Sequence, residues 1–172
     1  MSIGKSQFIG AAGQYYVAYG LSVREICASI TVGNSPGVDI LVSKDGGLKN
    51  VSIQVKTSRN AYRKKVYGRE GYEWDVGKSV VGKQSPKFWY AFVNLQSEDD
   101  LKWNPEVFFV PSKWVAEFVK SDWTRYLYYL PISAKELCYE KWDNIKRCLD
   151  DDQEVFEYSQ SWPEDLLVRW GE

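Results

Sequence analysis

Residues 38–56 read VDILVSKDGGLKNVSIQVK, and no other stretch limits the fold so tightly. Two β-branched runs, VDILVS (38–43) and VSIQVK (51–56), flank KDGGLKN (44–50), whose paired glycines suit a reversing loop. The pattern predicts an antiparallel hairpin. In the second run Val51, Ile53 and Val55 sit two apart and share one face, leaving Ser52, Gln54 and Lys56 on the other. A half-buried strand ordinarily turns such polar groups to water. Here the amide and the ammonium run straight into Thr57, Ser58, Arg59 and Asn60, a polar and basic continuation.

The surrounding segments predict a mixed α/β order. Phe8, Ala12, Tyr15 and Tyr19 recur at helical spacing without a proline, which predicts a helix over 5–20. VREICASI reads as a strand and GNSPG (33–37) as a turn. Residues 57–86, polar, basic and containing glycine, read as a long loop, and a loop of that length in a compact domain is usually functional or mobile. KFWYAFVNL (87–95) is expected as a buried strand, SEDDLKWNPE as a loop and VFFVP as a further strand. SKWVAEFVK reads as a helix with Ser112 as its N-cap. From Ser133 onward SAKELCYEKWDNIKRCLDD reads as one helix, with Ser133 and Glu136 as a capping box.

Composition decides what chemistry is available. With 172 residues, 44% hydrophobic and 26% charged, the chain has enough apolar material for one domain with a core. It holds no histidine, which excludes Ser-His and Cys-His nucleophilic pairs and histidine-ligated zinc. Cys27, Cys138 and Cys148 are odd in number, widely spaced and without a CxxC, so they read as reduced and structural. No GxxxxGK[ST] or GxGxxG phosphate loop is present. Carboxylates, amides, lysines and a hard metal bound through oxygen are what remain. The opening MSIGKSQFIGAAGQ has no signal-peptide pattern, and the runs FWYAFV and VFFV are far too short to span a bilayer. The expectation is a cytoplasmic protein with no membrane partner.

Charge is unevenly spread. From Gln54 to Lys87 nine lysines and arginines face three acids, whereas from Ser133 to Glu172 five face eleven. A basic segment beside the Gln54–Lys56 strand points to a polyanion, although both segments also fit solvated faces of a balanced protein. Tyr62, Tyr67, Tyr72 and Trp74 lie among the basic residues, where they could stack on bases or pack the segment down. The acidic tract 150–154 reads as solvated surface.

An aspartate, a reversing loop and then Gln-x-Lys on the returning strand resemble the PD-(D/E)xK nuclease superfamily in its Gln-x-Lys variant. The matching stretches are SPGVDILV with Asp39, IQVKTS with Gln54 and Lys56, and the opening helix GAAGQYYVAYGL, which is similar to the family's GE-x-x-(V/A)-A-x-x-L helix. FWYAFVNL and EVFFVPSKWV are similar to its later strand, strand and helix. The resemblance implies a restriction-endonuclease-like core over about 4–120, with a central mixed β-sheet flanked by helices, and a helical C-terminal extension over about 121–172, all in a single domain.

The resemblance also implies a metal-dependent endonuclease acting on DNA phosphodiesters with Mg²⁺ or Mn²⁺. Carried over, Asp39 and Gln54 ligate the metal with the Val55 backbone carbonyl, and Lys56 is the catalytic lysine. The i, i+2 spacing points Gln54 and Lys56 to one face. Gln54 stands where an acid is commoner, and Gln14, an accessory candidate, stands where the helix often has Glu; Pro36 lies three residues before Asp39 rather than next to it. Glu70, Glu73 and Asp75 are further candidates for a metal ligand from the basic segment. Arg59, Arg63, Lys64, Lys65, Arg69, Lys78 and Lys83 are the expected nucleic-acid contacts, with double-stranded DNA as the partner. A homodimer is expected because cutting a duplex needs two such sites. The candidate interface aromatics are Trp123, Tyr126, Tyr128, Tyr129, Trp142, Trp162 and Trp170. The alternative is a nuclease fold that binds nucleic acid or protein without cutting.

Overall fold

The computed structural model describes residues 5–32, 37–66, 68–99, 102–119, 124–161, 163 and 166. The chain begins with α1 (Lys5–Ser22), β1 (Cys27–Ile30), β2 (Ile40–Lys44) and β3 (Lys49–Ser58). Next come β4 (Tyr62–Val66), β5 (Arg69–Asp75), β6 (Phe88–Asn94), the short pair β7 (Ser97–Asp99) and β8 (Lys102–Trp103), and β9 (Glu106–Pro111). It closes with α2 (Ser112–Phe118), β10 (Leu127–Pro131), α3 (Lys135–Cys138), α4 (Trp142–Leu149) and α5 (Gln153–Gln160). A five-stranded mixed sheet runs β1-β2-β3-β6-β9, with β3 and β6 parallel and the other neighbours antiparallel. A second, three-stranded sheet runs β10-β5-β4, all antiparallel. Among the described residues no helix is long and apolar enough to cross a membrane.

Strand β6 reads FWYAFVN and is buried along its whole length, as expected for the middle of a sheet covered on both faces. Phe88, Tyr90 and Phe92 pack to one side with Tyr72 and Trp74 of β5, Tyr128 and Leu130 of β10, and Trp114 and Phe118 of α2. Trp89, Ala91 and Val93 pack to the other side with Val51, Ile53 and Val55, Val17 and Leu21 of α1, and Trp142 and Ile145 of α4. The large sheet is therefore a middle layer, with helices on one face and the small sheet plus α2 on the other.

Several sequence expectations are corrected. Residues 57–86 are not a long loop: β3 continues to Ser58, and β4 and β5 form a hairpin that enters the second sheet. The C-terminal part is not simply helical, because β10 completes that sheet. The expected helix from Ser133 is broken into a 3-10 turn, α3 and α4. Tyr139 bridges to Phe108 and Glu140 takes a positive φ of 53°, so tertiary pairing overrides local propensity. The Ser133–Glu136 capping box is not formed. Ser112 is not an N-cap either; its hydroxyl donates to the Ser85 carbonyl (2.9 Å) and accepts from the Ser85 amide (3.0 Å). Pro36 and Tyr67 lie outside the described residues.

Helix α1 forms as expected, but Phe8, Tyr15 and Tyr19 face outward and are 75%, 66% and 64% exposed. The packed face is built instead from Gly13, Val17, Gly20 and Leu21. A Cβ on Gly13 would overlap Thr57 of β3, and one on Gly20 would overlap the Trp142 ring of α4, so the helix packs this closely on the sheet and on α4 because these positions lack a side chain. Gly10 has nothing within 4 Å of its Cβ position. Gly13→Ala and Gly20→Ala are each expected to destabilise the protein by about 1–3 kcal/mol through overpacking. Gly10→Ala is expected to stabilise it by up to about 1 kcal/mol through helix propensity. Urea unfolding of the three variants checks this; equal effects at all three positions would remove the close-packing account.

Candidate active site

Asp39 directly precedes β2, and the register that pairs Ile40 with Ile53 brings it alongside Gln54 of β3. Its amide donates to the Ile53 carbonyl (2.9 Å), which extends the ladder by one residue and fixes the backbone under the side chain. One carboxylate oxygen accepts from the Val55 amide (2.7 Å) and the other from the Gln14 side-chain amide (2.9 Å). Three elements thus hold one half-buried carboxylate: the start of β2, the middle of β3, and α1. Charge-assisted bonds of this kind are worth more than neutral ones.

Gln54 is 8% exposed, and its side-chain oxygen has no hydrogen-bond partner among the described residues. Unsatisfied buried acceptors are rare in native proteins and call for a cause. That oxygen lies 3.5 Å from where a Cβ on Gly37, two residues before Asp39, would stand.

Lys56 is half-buried, on the same face of β3 as Gln54. Burial pulls its ammonium below the ordinary lysine range, while the charges of Asp39 and Asp75 act in the opposite direction. A second lysine reaches the same place. Lys83, from the segment joining β5 to β6, donates to the Gly37 carbonyl (3.0 Å) and lies 4.4 Å from the centroid of the Phe88 ring. Burial lowers Lys83 as well, the Lys56 charge adds to the effect, and Asp39 opposes it. Gly37 has φ of 71°, which favours glycine there, and the Lys83 ammonium occupies the space that a Cβ would take.

The arrangement is therefore one carboxylate, one unpartnered buried amide oxygen and two partly desolvated ammoniums. Mg²⁺ takes oxygen ligands and is often held by one or two carboxylates, with water and phosphate completing the shell. The Gln54 oxygen, buried and unpartnered beside Asp39, fits such an ion. No group of three or more His, Cys, Asp or Glu able to hold a metal occurs among the described residues. The set is accordingly weak for metal alone and complementary to an anion.

The remaining expected contacts divide. Lys64, Lys65 and Arg69 are exposed on the β4–β5 hairpin, and Arg59 and Lys78 are exposed elsewhere on the crossover. Arg63 donates to the carbonyls of Asn60 (2.7 Å) and Tyr62 (2.9 Å), and Arg59 lies 5.2 Å from the centroid of the Trp103 ring. Lys87 is held by Asp151 (2.6 Å). The acidic tract is not merely solvated: Asp150 pairs with Lys44, Asp151 also pairs with Lys49, and Asp152 pairs with Arg147 and caps α5. Tyr72 and Trp74 are core residues, Trp74 donating to the Val93 carbonyl (3.0 Å). Glu70 accepts from the Tyr62 hydroxyl, and Asp75 lies 3.9 Å from Arg125. Of the expected interface aromatics, Tyr128, Tyr129 and Trp142 are buried inside the chain, Tyr126 is half-buried, and Trp123, Trp162 and Trp170 lie outside the described residues. Lys83, expected among the nucleic-acid contacts, is the residue whose place beside Asp39 and Gln54 the sequence does not show; nothing in its neighbours GKQSPK distinguishes it.

No protein-family model matches the chain, and neither a curated protein nor a solved structure does.

A lysine whose folded-state pKa is depressed costs stability while it is charged in the folded protein. That cost is present below the folded-state value and disappears as pH rises towards the ordinary value of 10.5. Lys56→Met, which keeps the side-chain length, is expected to raise the unfolding midpoint at pH 7. The gain should shrink as pH approaches 10.5. Thermal melts of both proteins across that range check the sign; a midpoint lowered at pH 7 would contradict it.

Proposed function

We propose that this chain is a metal-dependent endonuclease hydrolysing DNA phosphodiester bonds, with a restriction-endonuclease-like core of the PD-(D/E)xK type. The observation that carries the reading is the convergence of the Asp39 carboxylate, the unpartnered Gln54 oxygen and the partly desolvated Lys56 ammonium on adjoining strands. The large sheet supports it: α1 precedes the antiparallel strands β1, β2 and β3, β6 runs parallel to β3, and β9 runs antiparallel to β6.

When bound, Mg²⁺ or Mn²⁺ supplies a Lewis acid that lowers the pKa of a coordinated water and polarises the phosphate. Asp39, Gln54 and the Val55 carbonyl are the residues that would hold it. Gln14 and the Val55 amide orient the Asp39 carboxylate. Lys56 stabilises negative charge as it develops on the phosphate oxygens and positions the attacking water. The exposed Lys64, Lys65 and Arg69 of the β4–β5 hairpin contact duplex phosphates. A cut through both strands requires two copies, and a homodimer supplies them.

A second reading, a nuclease fold that binds nucleic acid without cutting, is favoured by the single carboxylate at the site. Incubation with supercoiled plasmid in Mg²⁺ or Mn²⁺ separates the two. Cleavage is expected in the wild type and about 100-fold slower in Lys56→Ala, on the scale of other lost electrostatic stabilisers. Wild type and Lys56→Ala that are equally inert, with DNA binding that weakens with salt, would establish the binding reading. Gln54→Glu adds a carboxylate to the site and is expected to tighten Mg²⁺ binding to the free protein about tenfold or more. Calorimetric titration reads this directly, and unchanged affinity would place Gln54 away from the metal.

A further inference from the structure

Lys83 does not behave as a surface lysine. Its backbone amide donates to the Val80 carbonyl (3.1 Å), and two residues later Ser85 is locked to Ser112 by a reciprocal pair of hydrogen bonds at 3.0 and 2.9 Å. The main chain beneath the side chain is therefore fixed to the start of α2. One donor of the ammonium goes to the Gly37 carbonyl, and the Phe88 ring lies beside it at 4.4 Å from the centroid. An ammonium has three donors, and that of Lys83 makes no other hydrogen bond among the described residues. The Gly37 Cβ position lies 3.5 Å from the Gln54 oxygen and overlaps the Lys83 ammonium, so the ammonium is set against the amide that adjoins Asp39. Like charges are costly when brought together under partial burial. Asp75, which also acts on Lys56, lies 3.9 Å from Arg125, so the two ammoniums beside the Asp39 carboxylate leave the cluster one positive charge in excess.

We propose that Lys83 is a second phosphate-binding group of the active site, acting with Lys56 to seat the anionic oxygens of a phosphodiester between β3 and the crossover segment. This rests on the phosphodiester reading of the site and goes beyond it in assigning the second cation. Lys56 approaches from the sheet and Lys83 from the segment that crosses it, so a phosphate between them is held from two elements. An anion relieves the excess charge, which makes phosphate a ligand of the metal-free protein.

The test is a titration of the metal-free protein with inorganic phosphate, followed through the Gly37 backbone amide and the Gln14 and Gln54 side-chain amides by nuclear magnetic resonance. Saturable shifts are expected in the wild type. Lys83→Ala and Lys56→Ala should each weaken binding about tenfold or more, as for the loss of one charge-assisted hydrogen bond. Lys83→Arg should restore most of the loss, and Lys146→Ala, on the exposed side of α4, should have no effect. Unchanged phosphate affinity in Lys83→Ala, or no shift in the wild type, would overturn the proposal. Plasmid cleavage on the same proteins keeps the two readings apart. Lys83-dependent phosphate binding without cleavage would remove the nuclease and leave the anion site. Cleavage that needs Lys56, with phosphate affinity and cleavage rate indifferent to Lys83, would remove Lys83 and leave the nuclease.

Discussion

The parallel pairing of β3 with β6 is the constraint from which most of the structure follows. Neighbouring parallel strands cannot be joined by a tight turn; the chain must cross from one end of the sheet to the other. A helix usually makes that passage. Here residues 59–87 make it with the β4–β5 hairpin and a 3-10 turn, and the hairpin becomes two strands of a second sheet. Because both faces of β6 are apolar, something must cover each of them. The crossover and β10 cover one, and α1 and α4 cover the other. The crossover is tied down along its length: Ala61 donates to the Asn94 side chain (2.8 Å), Trp74 to the Val93 carbonyl (3.0 Å), and Ser85 is locked to Ser112. The segment that closes the core is thus the one that delivers Lys83 to Asp39 and Gln54.

A buried polar network secures the far end of the same arrangement. Glu106, 7% exposed, accepts from Asn94 (2.9 Å), Lys135 (2.7 Å) and the Tyr72 hydroxyl (3.3 Å). Desolvation acts to lower the Lys135 ammonium, yet its hydrogen bonds to Glu106 and Tyr72 hold it above the ordinary range. A buried carboxylate is tolerable only when its oxygens are satisfied in this way. The network joins β9, β6, β5 and the start of α3, so residues 127–138 are part of the core rather than an appendage. This is also why the C-terminal aromatics are spent on packing: Tyr128 stacks on Phe92 with ring centroids 4.8 Å apart, and Trp142 meets Phe109 at the same distance.

The β2–β3 hairpin was legible because its signals are local: alternating β-branched residues on either side of Asp-Gly-Gly. The Gln54–Lys56 pair was legible for a similar reason, since spacing of two fixes a shared face and the hairpin register then brings Asp39 to it. The crossover was not. Strand β4 reads YRKKV because it is an edge strand, and charged edges resist unwanted pairing while hiding the period-two pattern. The second half of strand β5 does alternate, with Tyr72 and Trp74 buried and Val76 continuing the pattern just past its end, but flanking charges mask it. The segment after Ser133 satisfies every local rule for a helix and still breaks at Tyr139 and Glu140, because pairing with Phe108 decides the matter. On α1 the aromatic spacing identified a helix but not its buried face, which the glycines define.

The two glutamines give the site its character. Carboxylates at positions 14 and 54 would place three negative charges around one point, an arrangement that repels itself until a cation neutralises it. With amides the repulsion is absent, and Gln14 instead donates to Asp39, which no carboxylate at neutral pH can do. The carboxylate is therefore held in place by the protein alone, before any ligand arrives. What is lost is electrostatic attraction for a divalent cation, and two nearby ammoniums weaken that attraction further. A site of this kind favours a ligand that brings its own negative charge. On the proposed nuclease reading a phosphodiester would do so, and each phosphate oxygen seated between Lys56 and Lys83 would restore part of the negative potential that a metal needs. Metal affinity would then be a property of the protein with its substrate rather than of the protein alone.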